Sequence, residues 1–295
     1  MKIVLTGGSG FLLSNLQQDY SANYIAPRSS EVNWITGEGI GTLPDQPDVF
    51  VHSAAIYGGL VFNQQYPERI LLDNMRMSIN AFDYILTAKP KKVIIIGSAC
   101  SYPGNATGQL SEDMIGSGRM EHTVELYAMN KLWQLAASER LLSDWTHLVL
   151  ANMYGPNDHL NLEKAHVVGA LMKKISNAKR EGTDVQLLGT GKAMRSLVYV
   201  KDVCAVINQF ATQDLPNGAY NVGYDNGISI KEMAETIADV VGFKGQILWG
   251  DPKDNGAMVK ILDYTKLENV YPNRPKTNLI TGLNASKEYY NGQGN

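Results

Sequence analysis

A chain of 295 residues, 44% of them hydrophobic, is long enough to bury one large core or two interlocked ones. Only 19% of residues are charged and the net charge is -3, with no basic block for a nucleic-acid partner. The two cysteines, Cys100 and Cys204, lie too far apart to set out a disulfide framework or a metal site, which fits a reducing cytoplasm.

The N-terminal MKIVLTGG reads as a mature first strand and not as a leader. No apolar run approaches the roughly 20 residues that cross a bilayer, so a soluble protein is expected. KIVLT (2–6), NYIAP (23–27), DVFVHSA (48–54), KKVIIIGS (91–98) and THLVLAN (146–152) read as strands. The run of consecutive apolar residues in the fourth is the mark of a parallel strand covered on both faces. Helical patterns at 11–20, 67–88 and 122–143 alternate with these strands, which implies right-handed βαβ units. Beyond residue 155 come a helix at 164–180, short strands near 185–188 and 197–200, a helix at 201–211 and a last sheet strand, AYNVG (219–223). The stretch 229–243 is helical and opens on a Ser229/Glu232 capping box, after which the proline- and asparagine-containing tail reads as irregular. The expected architecture is α/β: a Rossmann-like doubly wound parallel sheet with a smaller C-terminal α/β substrate domain. Residues 1–155 plus about 186–222 form the dinucleotide-binding part, and 156–185 with 223–295 the substrate part.

TGGSGFLL (6–13) stands between the first strand and the first helix, where a glycine turn can cradle a pyrophosphate. Gly7 permits the tight turn and Gly10 the close approach of backbone to phosphate, whereas Leu13 replaces the usual third glycine and is expected to push the helix slightly outward. Ser9, Phe11 and Leu12 complete the expected cofactor contacts. After the second strand, Arg28 with Ser29 and Ser30 favours a 2′-phosphate and hence NADP(H), while Glu31 keeps NAD open.

Tyr127 and Lys131, in YAMNK, are four apart on a helix and project from one face. An ammonium beside the phenol is expected to lower its pKa and suit it to proton exchange with a carbonyl. Ser98 ends the fourth strand, where the carboxyl ends of parallel strands open on the cofactor crevice, and is placed to hydrogen-bond the substrate oxygen.

TGGSG, GSACSYPG and YAMNK, in this order, resemble the extended short-chain dehydrogenase/reductase superfamily. AAIYGGLVFNQQYP (54–67), NMYGPNDHL (152–160), AHVVGALMKK (165–174), RSLVYVKD (195–202), NVGYDNGISIKEMAETIADVVGFKG (221–245) and DPKDNGAMVKILDYTKLENV (251–270) narrow the resemblance to its GDP-L-fucose synthase family, over almost the entire chain. The resemblance implies a cytoplasmic, homodimeric NADPH-dependent epimerase/reductase acting on a GDP-sugar. In it Ser98, Tyr127 and Lys131 reduce the keto group, and Cys100 and His166 are the acid and base that invert the flanking carbons. It further implies cofactor contacts at Asn74, Tyr127, Lys131 and His166, substrate contacts at Asn152, Lys174 and Arg195, and no metal. Read from the residues alone, a cysteine such as Cys100 is more often a small buried hydrophobe, and His166 is merely a residue early in a helix.

Leu13, Leu126 before the tyrosine, Lys201, the loop from Gly104 to Glu121 and NLEKA before His166 depart from the family pattern and leave the sugar open. Two alternatives stand beside the epimerase/reductase: a GDP-4-keto-sugar C4 reductase with partial or no epimerisation, on a dideoxyhexose or heptose, and a non-catalytic dinucleotide sensor. The intact Ser98, Tyr127 and Lys131 argue against the sensor. A UDP-sugar 4-epimerase holding NAD is disfavoured by Arg28 and by the GG and AHV segments.

Overall fold

Six parallel strands make the central sheet: β1 (Lys2–Thr6), β2 (Asn23–Ile25), β3 (Val49–His52), β4 (Lys92–Ser98), β5 (Trp145–Leu150) and β6 (Gly218–Val222). Their order is β6-β5-β4-β3-β1-β2, so the chain leaves β1 toward one edge and returns at β3 toward the other. The structure, a computed structural model, describes residues 1–20, 23–159, 161–162, 165–224 and 226–292. Seven longer helices accompany the sheet: α1 (Phe11–Asp19), α2 (Asn74–Ala88), α3 (Glu125–Leu141), α4 (Val167–Glu181), α5 (Val200–Thr212), α6 (Ile230–Val241) and α7 (Leu279–Gly292).

Alternation along the strands divides the apolar residues between two layers. Val4, Phe50, Val93 and Ile95 face a cluster with Phe82 and Ile85 of α2. Ile3, Leu5, Val51, Ile94 and Ile96 face another with Leu13 and Leu16 of α1 and Val203 and Phe210 of α5. Burying an aliphatic side chain of this size contributes about 1.5–3 kcal/mol. This covering of both faces makes the sheet doubly wound, as the sequence pattern requires.

A second cluster gathers Val168, Leu171 and Ile175 of α4, Met233 and Ile237 of α6 and Leu283 of α7. Short strand pairs attach it: Asn152–Tyr154 lies parallel to Leu197–Tyr199, and Val185–Leu187 to Ile247–Trp249. Met194–Arg195 pairs with Val259–Leu262, which also pairs with Gln109–Leu110. The segment 185–197 therefore runs through the C-terminal layer before α5 rejoins the sheet, while Leu262, Tyr264 and Leu267 pack back into the sheet cluster. Thr277 closes the same seam, its backbone N–H and hydroxyl both donating to the Asp202 carboxylate on α5 (2.7 and 2.8 Å).

Three readings need correction. The tail is ordered: Val259–Leu262, a short helix at Thr265–Val270 and α7 follow one another. Leu279, Leu283, Ser286 and Tyr290 recur at helical spacing toward the second cluster. Pro272 and Pro275 interrupt only the connection before α7. The helix expected over 67–88 is a π-turn at Arg69–Asp73 running into α2, and that over 122–143 is a 3-10 turn, His122–Val124, running into α3. Lys164, where the expected 164–180 helix would open, lies outside the described residues. The Ser229/Glu232 capping box is formed in both directions at the start of α6. No helix among the described residues is long and apolar enough to cross a membrane.

Candidate active site

The carboxyl ends of β1 and β3 meet where the strand order reverses, the place an open α/β sheet offers a ligand. Thr6, at the end of β1, is fully buried, and its Oγ1 accepts from the Ser53 and Ala54 amides (3.0 and 2.9 Å) while meeting His52 Nδ1 at 2.9 Å. That knot fixes the crevice floor. Gly7 has φ +80°, open to glycine at little cost, and a Cβ at Gly8 would sit 2.6 Å from the Ala26 side chain. Gly8, not singled out in the sequence, is thus the residue that lets the turn lie against β2. Leu13 is fully buried among the sheet residues, so the core takes up the side chain that replaces glycine.

Gly10 caps α1 with extended backbone and no side-chain cap, which leaves the first-turn amides, Phe11 and Leu12 among them, as donors toward the crevice. The side chains of Phe11 and Leu12 point into the core, so their contribution is backbone only. Ser9 and Arg28 are exposed at the rim. Glu31 turns its carboxylate back onto the Arg28 amide at 2.7 Å, an engagement that favours the arginine as the ribose-side contact. An uncapped helix start, a glycine turn and a rim arginine together fit a dinucleotide phosphate.

Asn74 is buried at the loop after β3, where its Oδ1 accepts from the Ile56 amide and its Nδ2 donates to the Ile56 and Ile70 carbonyls. Both of its donors are engaged in shaping that loop.

Tyr127 and Lys131 lie on α3, with the Lys131 Nζ 5.6 Å from the Tyr127 ring centroid. The ammonium donates to the Ile96 carbonyl (2.7 Å) and to Gln134 Oε1 (3.2 Å). Gln134 is locked in turn by Ser78 and Asn130, through Nε2 contacts of 2.7 and 3.2 Å. Burial draws the Lys131 pKa down to about 7, and the buried His52 and His147 are held down to about 3. The expected depression of the phenol is reversed. Burial pushes Tyr127 up, and the Cys100 and Tyr57 charges add to the rise. Ser98 Oγ accepts from the Cys100 amide at 3.2 Å, which leaves its own proton to donate.

Cys100 sits in the 3-10 turn Ala99–Ser101, partly exposed. Lys260 holds that turn from the C-terminal layer, donating to the Ala99 and Tyr102 carbonyls (3.0 and 3.3 Å). Its strand neighbour Arg195 donates to the Met194 carbonyl at 2.8 Å. Burial lowers both basic pKa values, and the Cys100 charge opposes the shift in each. Sequence reasoning misses Lys260. No residue pattern around it marks it as a site residue, and it reaches the Cys100 turn through the pairing of Val259–Leu262 with Met194–Arg195 and Gln109–Leu110.

His166 is the N-cap of α4, with its side chain uninvolved in capping. The ring stacks on Tyr57 (centroids 4.8 Å apart, 29°), lies 5.8 Å from the Phe11 ring, and places Nδ1 3.3 Å from Asp158 Oδ1. Tyr57, whose charge bears on Tyr127, thus bridges the His166 and Tyr127 sides. Asn152 donates from Nδ2 to the Ser196 carbonyl (3.1 Å), and Lys174 is half-buried on α4 two turns beyond His166. The fold gathers Ser98, Cys100, Tyr127 and Lys131 at the end of β4 and the start of α3, with Lys260 and its neighbour Arg195 reaching the Cys100 turn from the C-terminal layer and His166 stacked on Tyr57. Cys204 is buried in α5 and plays no part. No cluster that could hold a metal ion occurs among the described residues.

The model of the NAD dependent epimerase/dehydratase family matches residues 3–223. Over 312 residues the chain is 30% identical to the GDP-L-colitose synthase of Yersinia pseudotuberculosis, covering 100% of this chain and 99% of that one. It is 27% identical to GDP-L-fucose synthase 1 of Arabidopsis thaliana, covering 98% and 93%. Two solved structures share the fold at 20% identity. A GDP-6-OMe-4-keto-L-xylo-heptose reductase from C. jejuni has a TM-score of 0.89 and coverage of 99% and 98%. A GDP-L-fucose synthetase from Naegleria fowleri bound to NADP has a TM-score of 0.85 and coverage of 99% and 94%.

Proposed function

The chain belongs to the NAD-dependent epimerase/dehydratase family, and on that premise we propose that it is an NADPH-dependent enzyme of GDP-sugar biosynthesis that epimerises and then reduces a GDP-4-keto-6-deoxy-hexose. GDP-4-keto-6-deoxy-mannose going to GDP-L-fucose is the reaction its residues fit best. The observation that carries this reading is the approach of Cys100 to the reductase pair. It is two residues from Ser98 and bound to it through its amide, and its charge acts on Tyr127.

A 4-keto group acidifies the hydrogens on its two neighbouring carbons, so a thiol group and an imidazole on opposite sides can remove and return those protons. Cys100 takes the first role and His166 the second. Ser98 then donates a hydrogen bond to the keto oxygen and Tyr127 gives the proton that completes the alcohol. NADPH, held by the Gly7–Gly10 turn, the start of α1 and Arg28, supplies the hydride when bound. Arg195 and Lys174 hold the diphosphate, with Lys260 as a further buried cation, and Asn152 faces the sugar. A homodimer through α2 and α3 is supported by exposed apolar side chains on both: Leu72 in the turn leading into α2, Ile79 and Leu86 at seven-residue spacing along it, and Met129 on α3.

The test is incubation with NADPH and GDP-4-keto-6-deoxy-mannose in deuterated water, followed by NMR and mass spectrometry. The expected product carries deuterium at C3 and C5 and a reduced C4. Cys100→Ser is expected to suppress deuterium uptake while C4 reduction continues. Reduction with no deuterium in the wild-type product would leave a 4-keto reductase.

A further inference from the structure

We propose that Asp158 is a positioning residue that fixes which nitrogen of His166 carries the proton, holding Nδ1–H and turning Nε2 toward the substrate. The Asp158 side chain is only 1% exposed. It follows a sharp turn in which Asn157 takes the left-handed conformation at φ +67°. Its Oδ1 accepts from the His159 amide at 2.8 Å and lies 3.3 Å from His166 Nδ1. Its Oδ2 is buried without a hydrogen-bond partner among the described residues. A carboxylate so poorly compensated is expensive to bury, which singles out the imidazole contact as the one that uses it.

An ionised carboxylate only accepts, so the ring nitrogen facing it must carry hydrogen. Stacking on Tyr57 and the tilted Phe11 ring 5.8 Å away limit ring reorientation, so the same edge stays on Asp158. The opposite edge then presents a bare Nε2 when the ring is neutral and an Nε2–H when it is protonated. Gly169 makes the arrangement possible. A Cβ there would lie 2.7 Å from Asp158 Oδ2 and 3.3 Å from the Tyr290 hydroxyl, so any side chain would displace the carboxylate. The use of Nε2 rests on the proposed epimerisation: a ring-carbon proton leaves to the Cys100 sulfur and the Nε2 proton goes to the opposite face. Both groups then re-equilibrate with water. The tautomer itself does not rest on that reading.

The experiment is long-range 15N–1H NMR on the full chain labelled at histidine, with His166→Asn assigning one signal set among the five histidines. Neutral His166 is expected as the Nδ1–H form. In Asp158→Ala, and in the similarly sized but acceptor-free Asp158→Leu should the first fold poorly, the signal is expected to move toward the Nε2–H form while NADPH affinity stays unchanged. Deuterium uptake into the sugar ring should fall about 10- to 100-fold, as for other residues that act by orienting a histidine. Gly169→Ala should move the tautomer in the same direction. Nε2–H as the main form in the wild type, or an unchanged tautomer in the Asp158 variants, would overturn the assignment. A tautomer that moves as expected in a wild-type enzyme that exchanges no ring hydrogens would support Asp158 and count against the epimerase reading alone.

Discussion

Replacing Lys131 with methionine should abolish turnover and flatten the dependence of stability on pH. The lysine is 1% exposed, donates to the Ile96 carbonyl and Gln134 Oε1, and has no ion pair among the described residues. Burial brings its pKa from 10.5 to about 7. The sign follows from proton binding. Between about pH 7 and 10 the unfolded chain keeps the lysine proton and the folded chain has released it, so stability rises with pH across that window. Below about pH 7 the full penalty of the buried charge is present. At about 1.36 kcal/mol per pH unit, wild type should gain roughly 2–3 kcal/mol over Lys131→Met between pH 7 and 9. The acceptors left behind in the variant cost about 1–3 kcal/mol, but that loss does not depend on pH. Urea unfolding of both proteins from about pH 6 to 9 measures the difference directly. Parallel stability curves would refute the reasoning, because they would mean the folded protein keeps Lys131 charged throughout.

Arg28→Ala should raise the KM for NADPH about tenfold and leave NADH almost unchanged, since a guanidinium–phosphate contact contributes about 1.5–3 kcal/mol; equal losses with both would remove Arg28 from the 2′-phosphate. Tyr127→Phe should lower kcat at least about 100-fold with NADPH affinity intact, because its proton is needed only as charge develops on the keto oxygen. Turnover above about a tenth of wild type would place the proton donor elsewhere.

The half of the site built by contiguous sequence is legible in the order of residues alone. A strand, a glycine turn and a helix occur within residues 2–19, so local pattern is enough to locate the cofactor crevice. Ser98 and the Tyr127/Lys131 pair stand out because a strand end and a four-residue helical spacing fix where side chains point. What local pattern does not give is electrostatics. The spacing puts Lys131 beside Tyr127, yet the Ile96 carbonyl, from a strand 35 residues earlier, claims the ammonium. Asn74 likewise has a suitable residue type at a suitable place, and only the Ile56 loop reveals that its amide is already engaged. Lys260 and Asp158 act through partners 161 and 8 residues away, across pairings that no periodicity announces.

Those long-range contacts also divide the site by charge. Around Lys131 the neighbours other than Cys100 are neutral: His52 and His147 are held unprotonated by burial, Tyr127 is kept a phenol, and Ser78, Asn130 and Gln134 form an uncharged network behind it. On the C-terminal side stand Arg195 and Lys260, both half-stripped of water, with Glu121 near enough to bear on each. An anionic diphosphate gains most beside the second set, where desolvated cations lack full compensation. A developing alkoxide gains most beside the first, where its one strong partner is a cation close to neutral pH and ready to redistribute a proton. In the proposed reaction the layer that supplies Arg195 and Lys260 anchors the substrate, and the sheet that supplies Ser98, Tyr127 and Lys131 performs the reduction. Cys100 lies on the seam between them, in a turn that begins at β4 and is held by Lys260. The proposed order, epimerisation before reduction, places the group that acts first at that boundary.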